Sequence, residues 1–274
     1  MTQQPYVLVP PSAPEIPLLV SIPHTGVEVP PDIAARFASA QVAQLPDTDW
    51  HLHRLYDFVP SLGAVTLHAR YSRYVIDLNR PPDSAPLYPG RSETALVPFN
   101  TFANEPIYAA GAQPSAAEQD GRRTRYWQPY HDALVEQLAR LKARFGYALL
   151  FDAHSILGFV PRFSPTPLPD LMLGDADHQS AHPTIGNAVA AVHQHSGYTW
   201  QRNNPFKGGY ITRAYGRPQE HVHALQLEMS QRIYMQEGPP FGWDEALAQK
   251  LRPVLRRTLE AFVQNAAAVE GKTP

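Results

Sequence analysis

The sequence predicts a single α/β domain over residues 1–274. Three observations carry that expectation. Short apolar runs, at 18–22 and 147–151, stop abruptly in polar residues, as buried strands do at the edge of an open sheet where ligands bind. A stretch with Tyr126, Tyr130, Leu134, Leu138, Leu141 and Phe145 at steps of four or three is an amphipathic helix, and it feeds the second run as half of a βαβ unit. A chain of 274 residues also suffices to bury one substantial core.

Composition narrows the class. With a net charge of −2 and 18% charged residues, no bulk field points to nucleic acid or an anionic membrane. Cysteine is absent, which removes thiol nucleophiles, cysteine-held zinc and disulfides, so any metal falls to the 12 histidines and the carboxylates. No apolar run reaches bilayer length, and the start at Met1-Thr2-Gln3-Gln4-Pro5 lacks the pattern of a signal peptide; a cytoplasmic protein is expected. The 29 prolines are spread rather than clustered into a linker.

Along the chain, 10–14 is an extended lead-in and 18–22 the first strand, followed directly by Pro23-His24-Thr25-Gly26. A short helix follows Pro30-Pro31-Asp32. Asp47 or Asp49 then caps a helix bearing Leu52, Leu55, Tyr56 and Val59, or else supplies a carboxylate ligand. Residues 63–68 are strand-like. Residues 71–82 are predicted as another strand, with Tyr74, Ile76 and Leu78 alternating with Arg73, Val75 and Asp77, and with Asn79 and Arg80 at its end before Pro81-Pro82. Charges in such a run need partners, either a substrate anion or a structural Arg–Asp pair.

Residues 83–119 lack periodicity, with a turn at Tyr88-Pro89-Gly90, and a connection this long inside a domain often covers a site. The helix from about Gly121 ends at Gly146, with His131 off its apolar stripe and assigned to the surface. The next strand ends in Asp152-Ala153-His154, where Asp152 can orient the imidazole. A strand at 169–175, a helix at 183–195 and a Gly208-Gly209 turn leading to a further strand and Arg213 come next. Residues 224–230 form a strand carrying Glu228 in its apolar run, and 243–263 a helix that Pro253 kinks or divides.

A strand-end histidine is more often satisfied by a backbone carbonyl than engaged in chemistry. His24 and His154 share one build, however, and Glu228 lies at a comparable position. Two histidines with Asp47 or Asp49 are the ligand set of an open catalytic zinc site. A separate glutamate can move the water's proton, and Arg73, Arg80 and Arg213 can bind carboxylates.

The stretches Ser21-Ile22-Pro23-His24-Thr25-Gly26, Asp47-Thr48-Asp49-Trp50, Ser72-Arg73-Tyr74-Val75-Ile76-Asp77-Leu78-Asn79-Arg80, Phe151-Asp152-Ala153-His154-Ser155, Gly208-Gly209-Tyr210-Ile211-Thr212-Arg213 and Leu225-Gln226-Leu227-Glu228-Met229 span nearly the whole chain. In this order they resemble the N-formylglutamate amidohydrolases of histidine degradation. The resemblance implies a mixed central sheet flanked by helices, similar to zinc carboxypeptidases and aspartoacylases. Aspartoacylase-type enzymes draw two ligands from His-x-x-Glu, but here Val27 stands three residues after His24 and Glu28 is off by one.

The expected zinc ligands are therefore His24, Asp49 and His154, with Asp47 as substitute for Asp49. Glu228 is the expected catalytic residue, and Arg73, Asn79, Arg80 and Arg213 bind the substrate. The implied reaction is hydrolysis of N-formyl-L-glutamate, with one Zn2+ or another divalent ion and a small N-acyl amino acid as substrate, and with no nucleic acid or membrane as partner. Two rivals stay open: a zinc deacylase of another N-acyl acidic amino acid, and a non-catalytic dicarboxylate-binding protein.

Overall fold

The computed structural model describes residues 4–87 and 93–272, so the turn expected at Tyr88-Pro89-Gly90 and the first three residues lie outside the described residues. Strands β1 (Tyr6–Val9), β2 (Leu18–Ile22), β3 (Val65–Ala69), β4 (Ala148–Ile156), β5 (Leu171–Gly174), β6 (Trp200–Arg202) and β7 (Val222–Ser230) form one sheet in the order β1-β3-β2-β4-β7-β5-β6. It is mixed. β3, β2, β4 and β7 run parallel as neighbours, β1 is antiparallel to β3, and β5 is antiparallel to β7 but parallel to β6.

After β2 the chain crosses to β3 on one side and later returns to β4 on the other. The carboxyl end of β2 is therefore a topological switch point, where an open sheet leaves a crevice.

The helices are α1 (Pro31–Ala34), α2 (Leu52–Leu55), α3 (Ala116–Arg122), α4 (Gln128–Phe145), α5 (Pro183–Gln194), α6 (Tyr210–Tyr215) and α7 (Glu245–Val269). On one face of the sheet, Leu149, Phe151, Ala153, Leu225 and Leu227 pack with α5 and α7. On the other, Leu19, Ala148, Leu150 and Ala224 pack with Tyr130, Leu134, Leu138 and Leu141 of α4. Each buried leucine or phenylalanine among them contributes about 1.5–3 kcal/mol relative to exposure, and each alanine less.

On the α4 face the alternation continues toward the strand ends but turns polar. Leu19 is followed by Ser21, Leu150 by Asp152 and His154, and Ala224 by Gln226 and Glu228. Period-two geometry thus lines up the polar residues on one face, just beyond the reach of the α4 stripe.

Four expectations are corrected by the structure, and one of the two alternatives at Pro253 is removed. Residues 71–82 make no strand. Asp77 Oδ1 accepts from Asn79 N at 2.9 Å and Ser72 Oγ from Tyr74 N at 3.2 Å, so local side-chain bonds hold turns where a ladder would need those donors. Residues 210–215 are helix α6, not strand. Neither Asp47 nor Asp49 caps α2, whose N-cap is His51 at φ 61 without a side-chain cap bond.

Pro253 lies inside α7, which runs as one helix of 25 residues and does not divide. His131 is buried rather than at the surface, with Nε2 bonded to Leu78 O, Nδ1 to Tyr215 OH, both at 2.8 Å, and its ring stacked on Trp127. The helix α6, which the sequence did not suggest, brings Tyr215 over it. The helical run also begins earlier than expected, at Ala116, where Ser115 Oγ accepts from Glu118 N and the turn Arg123–Trp127 joins α3 to α4. Among the described residues no helix is long and apolar enough to cross a membrane.

Burial pushes His131 down to about 3 and His193 to about 4. In the unfolded chain both take a proton near 6.5, so below that pH the unfolded state binds more protons than the native one. Stability is full above pH 6.5 and falls as pH drops toward 3–4, by up to about 1.4 kcal/mol per pH unit for each histidine. Thermal unfolding followed from pH 7 to pH 4 is expected to show this decline, and His131→Gln is expected to flatten it. An unchanged slope in that variant would remove His131 as a cause.

Candidate active site

His24 follows the end of β2, and β4 runs on past that end. Ser21 pairs with Asp152, so His154 projects two residues further into the space the β2 chain has vacated. Gly26 makes the turn possible. A Cβ there would lie 2.3 Å from Tyr71 O, and the chain instead bridges at Glu28 and Tyr71, which brings the Ser72–Arg80 segment beside His24. Asp49 arrives through its own backbone, with Asp49 N donating to His24 O at 3.1 Å.

His24, Asp49 and His154 converge, each buried, with one donor atom apiece lying within 4.8 Å of the others. Both imidazoles turn the same way. His24 Nε2 meets Asp77 Oδ1 at 2.7 Å, and His154 Nε2 meets Asp152 Oδ2 at 3.0 Å. Carboxylates at Nε2 place the proton there and leave Nδ1 as the donor on both rings. Those Nδ1 atoms lie 3.9 and 3.1 Å from Asp49 Oδ2.

Tetrahedral bonds of 2.0–2.1 Å set ligand atoms about 3.3 Å apart, so the trio fits a divalent ion with little adjustment. Its two nitrogens and one oxygen are the donor types of an open three-ligand site. Asp47 has a different task, because its Oδ2 accepts from Phe102 N at 2.8 Å and anchors the 101–105 loop.

The electrostatics follow from burial. Desolvation opposes charge on His154, yet Asp152 and Asp49 outweigh it and hold its pKa well above the usual value. Burial lowers His24, helped by the Arg73 guanidinium and countered by Asp77. Asp77 is fully buried, and Arg73 and His24 overcome its desolvation to hold it well below the carboxylate range. Glu228, opposite His154 in the β4–β7 register, is pushed by burial up to about 8, with the His154 and Arg73 charges opposing the push. A carboxyl in that range can both take and release a proton near neutrality.

These groups line a cavity of about 330 Å³ that also holds Arg73, Asn79, Arg80 and Arg162. Arg73 pairs with Asp77 at 2.6 Å and lies over the Phe102 ring, so the structural Arg–Asp pair exists and its outer face still looks into the cavity. Arg80 bonds the backbone oxygens of Thr94 and Asn79, and no described carboxylate forms an ion pair with it. Asn79 is engaged at both ends of its amide: Oδ1 accepts from Ile211 N, and Nδ2 reaches Asp152 Oδ2 and His154.

Arg213 lies on α6, where its Nε donates to Gly208 O at 2.8 Å, and it does not line the cavity. Four lining or supporting residues escaped the sequence argument: Asp77, Phe102, Arg162 and Gln226. Asp77 stood inside the quoted motif but was read as one face of a strand. The segment holding Arg162 has no periodicity that would single it out.

A family model described as N-formylglutamate amidohydrolase matches residues 16–235. The chain belongs to that family. Two curated relatives named N-formylglutamate deformylase share its length. The one from Pseudomonas aeruginosa is 47% identical over 90% of this chain and 93% of its own, and the one from Pseudomonas putida is 44% identical over 90% and 92%.

The crystal structure of N-formylglutamate amidohydrolase from Ralstonia eutropha JMP134 superposes with a TM-score of 0.82 at 29% identity, covering 98% of this chain and 99% of its own. The Agrobacterium tumefaciens protein Atu2144 shares the fold at a TM-score of 0.71 and 18% identity, covering 94% and 96%. The stretches that carry the resemblance in the sequence put His24, Asp49, Arg80, His154 and Glu228 on the cavity wall.

Elemental analysis of the purified protein is expected to find one divalent ion per chain, falling toward zero in His154→Ala and Asp49→Asn. Asp152→Asn, which removes the carboxylate that orients His154 and also accepts from Asn79 and Ser21, is expected to lower metal affinity about 10- to 100-fold in a chelator competition. Full metal content in His154→Ala would show that the ion binds elsewhere.

Proposed function

We propose that this chain is a zinc-dependent amidohydrolase that hydrolyses N-formyl-L-glutamate to L-glutamate and formate. The observation that carries the reading is the convergence of two carboxylate-braced histidines and Asp49 opposite Glu228, in one cavity with arginines. The family and the names of its relatives supply the substrate. The cavity suits a small dianion, and a macromolecular partner has no part in the reaction. Histidine degradation as the pathway rests on the family resemblance alone.

His24, Asp49 and His154 would hold the ion, with Asp77 and Asp152 fixing the two imidazoles. A zinc ion held there would supply Lewis acidity to the formyl oxygen and to a water. Glu228 accepts a water's proton as the water oxygen attacks the formyl carbon, then delivers it to the amide nitrogen as the C–N bond breaks. One water is consumed, and formate and a free amine leave.

Arg80 clamps a substrate carboxylate through a guanidinium that no described carboxylate holds in an ion pair, and Arg73 adds positive potential over the same space. Asn79 positions His154 both directly and through Asp152, and lines the cavity in which the substrate sits. Arg213 braces the Gly208-Gly209 turn.

Glu228→Gln is expected to keep its metal and lose about 10²- to 10⁴-fold in kcat; wild-type kcat in that variant would remove the proton-transfer role. Arg80→Ala is expected to raise KM for N-formyl-L-glutamate about 10- to 100-fold with a smaller change in kcat. Faster turnover of N-acetyl-L-glutamate or N-acetyl-L-aspartate than of the formyl compound would favour the neighbouring deacylase class. Protein that holds no metal and binds glutamate without cleaving any amide would be a binding protein instead.

A further inference from the structure

Gln226 precedes Glu228 by two residues on β7, so both side chains stand on the face that lines the cavity. Its Oε1 accepts from Gly209 N at 2.7 Å, a contact that decides which end of the amide is which. The NH2 group is thereby turned away from Gly209. Among the described residues nothing accepts from Nε2, although the residue is only 4% exposed. Unlike Gln231 Oε1, which is sealed without a partner, Gln226 Nε2 opens onto the cavity. Facing the cavity and bound to no protein acceptor, this donor is available to an acceptor that arrives with a ligand.

The amide is held on purpose-built backbone. Gly209 N binds Gln226 and Ile211 N binds Asn79 Oδ1 at 2.8 Å, so the first turn of α6 orients two cavity amides at once. A Cβ on Gly209 would lie 2.3 Å from Asn79 Nδ2, and only glycine permits that approach.

Spacing selects the acceptor. Two residues along a strand span roughly 6.6 Å. In N-formyl-L-glutamate the side-chain carboxyl carbon lies five bonds from the formyl carbon, roughly 6 Å when extended, whereas the α-carboxyl carbon lies three bonds away, roughly 4 Å. With the formyl carbon beside Glu228, the side-chain carboxylate reaches the level of Gln226 and the α-carboxylate does not. We propose that Gln226 Nε2 donates a hydrogen bond to the side-chain carboxylate of the substrate and makes this position the subsite that selects an acidic side chain of glutamate length. The proposal rests on the amidohydrolase reading above.

The test compares N-formyl-L-glutamate with N-formyl-L-norvaline, which has the same chain length and no side-chain carboxylate. Gln226→Leu is expected to raise KM for the glutamate compound about 10- to 100-fold with kcat within about threefold, and its loss in kcat/KM on the norvaline compound is expected to be at least about tenfold smaller. Gln226→Glu keeps an oxygen for Gly209 N–H and sets a negative charge where the NH2 group stood. It should retain wild-type metal content and lose more than the leucine variant on the acidic substrate. Unchanged KM in both variants, or equal losses on both substrates, would overturn the subsite. Metal-loaded wild-type protein that fails to cleave N-formyl-L-glutamate would overturn the amidohydrolase reading and the subsite with it, whereas active wild type with unaffected variants would overturn the subsite alone.

Discussion

A buried carboxylate needs compensation from every side, and at Asp77 that need organises the site. Its two oxygens receive His24 Nε2, Arg73 Nη2, the backbone N–H of Asn79 and the Thr94 hydroxyl. Removing any of these leaves charge in a dry environment, where an uncompensated ion costs several kcal/mol. One side chain thereby fixes the tautomer of a ligand histidine, keeps a guanidinium at the cavity wall and folds the segment that carries Asn79 and Arg80. The metal-binding and anion-binding halves of the cavity share this support, so their geometries are set together.

The sheet supplies the second constraint. Parallel pairing of β2, β4 and β7 brings three carboxyl ends to one edge, and β4 overruns β2 so that His154 stands above the turn holding His24. Helix α4 covers the amino-terminal half of that face with aliphatic and aromatic side chains. Beyond it, the same alternation delivers His154, Gln226 and Glu228 to an open cavity, with Asp152 buried behind His154. Chemistry sits where apolar cover ends and the pleat continues.

The third element is the short helix α6. It contributes backbone N–H groups to Asn79 and Gln226 and a tyrosine to His131, joining the cavity wall to the α4 layer. Polar side chains in this region have few degrees of freedom left, which favours a fixed arrangement of donors over one assembled around each ligand.

Short continuous apolar runs made the strands β2, β4 and β7 legible in the sequence, because parallel strands covered on both faces carry apolar residues throughout, and helical spacing made the stripe of α4 legible. The same logic exposed His24, His154 and Glu228, each marking an abrupt change from apolar to polar at a strand end. Tertiary structure alone decided the rest. Asp47 and Asp49 stand two residues apart with equal claims as ligands, and only the position of Phe102 N and of the two histidines separates an anchor from a member of the trio. The Ser72–Arg80 run alternates like a strand, yet Asp77 spends its oxygens on partners from β2, Arg73 and its own loop. Contacts between groups distant in the chain carry no local period, so His131 under Tyr215, and Gln226 held by Gly209, could be placed only once the fold had brought them together.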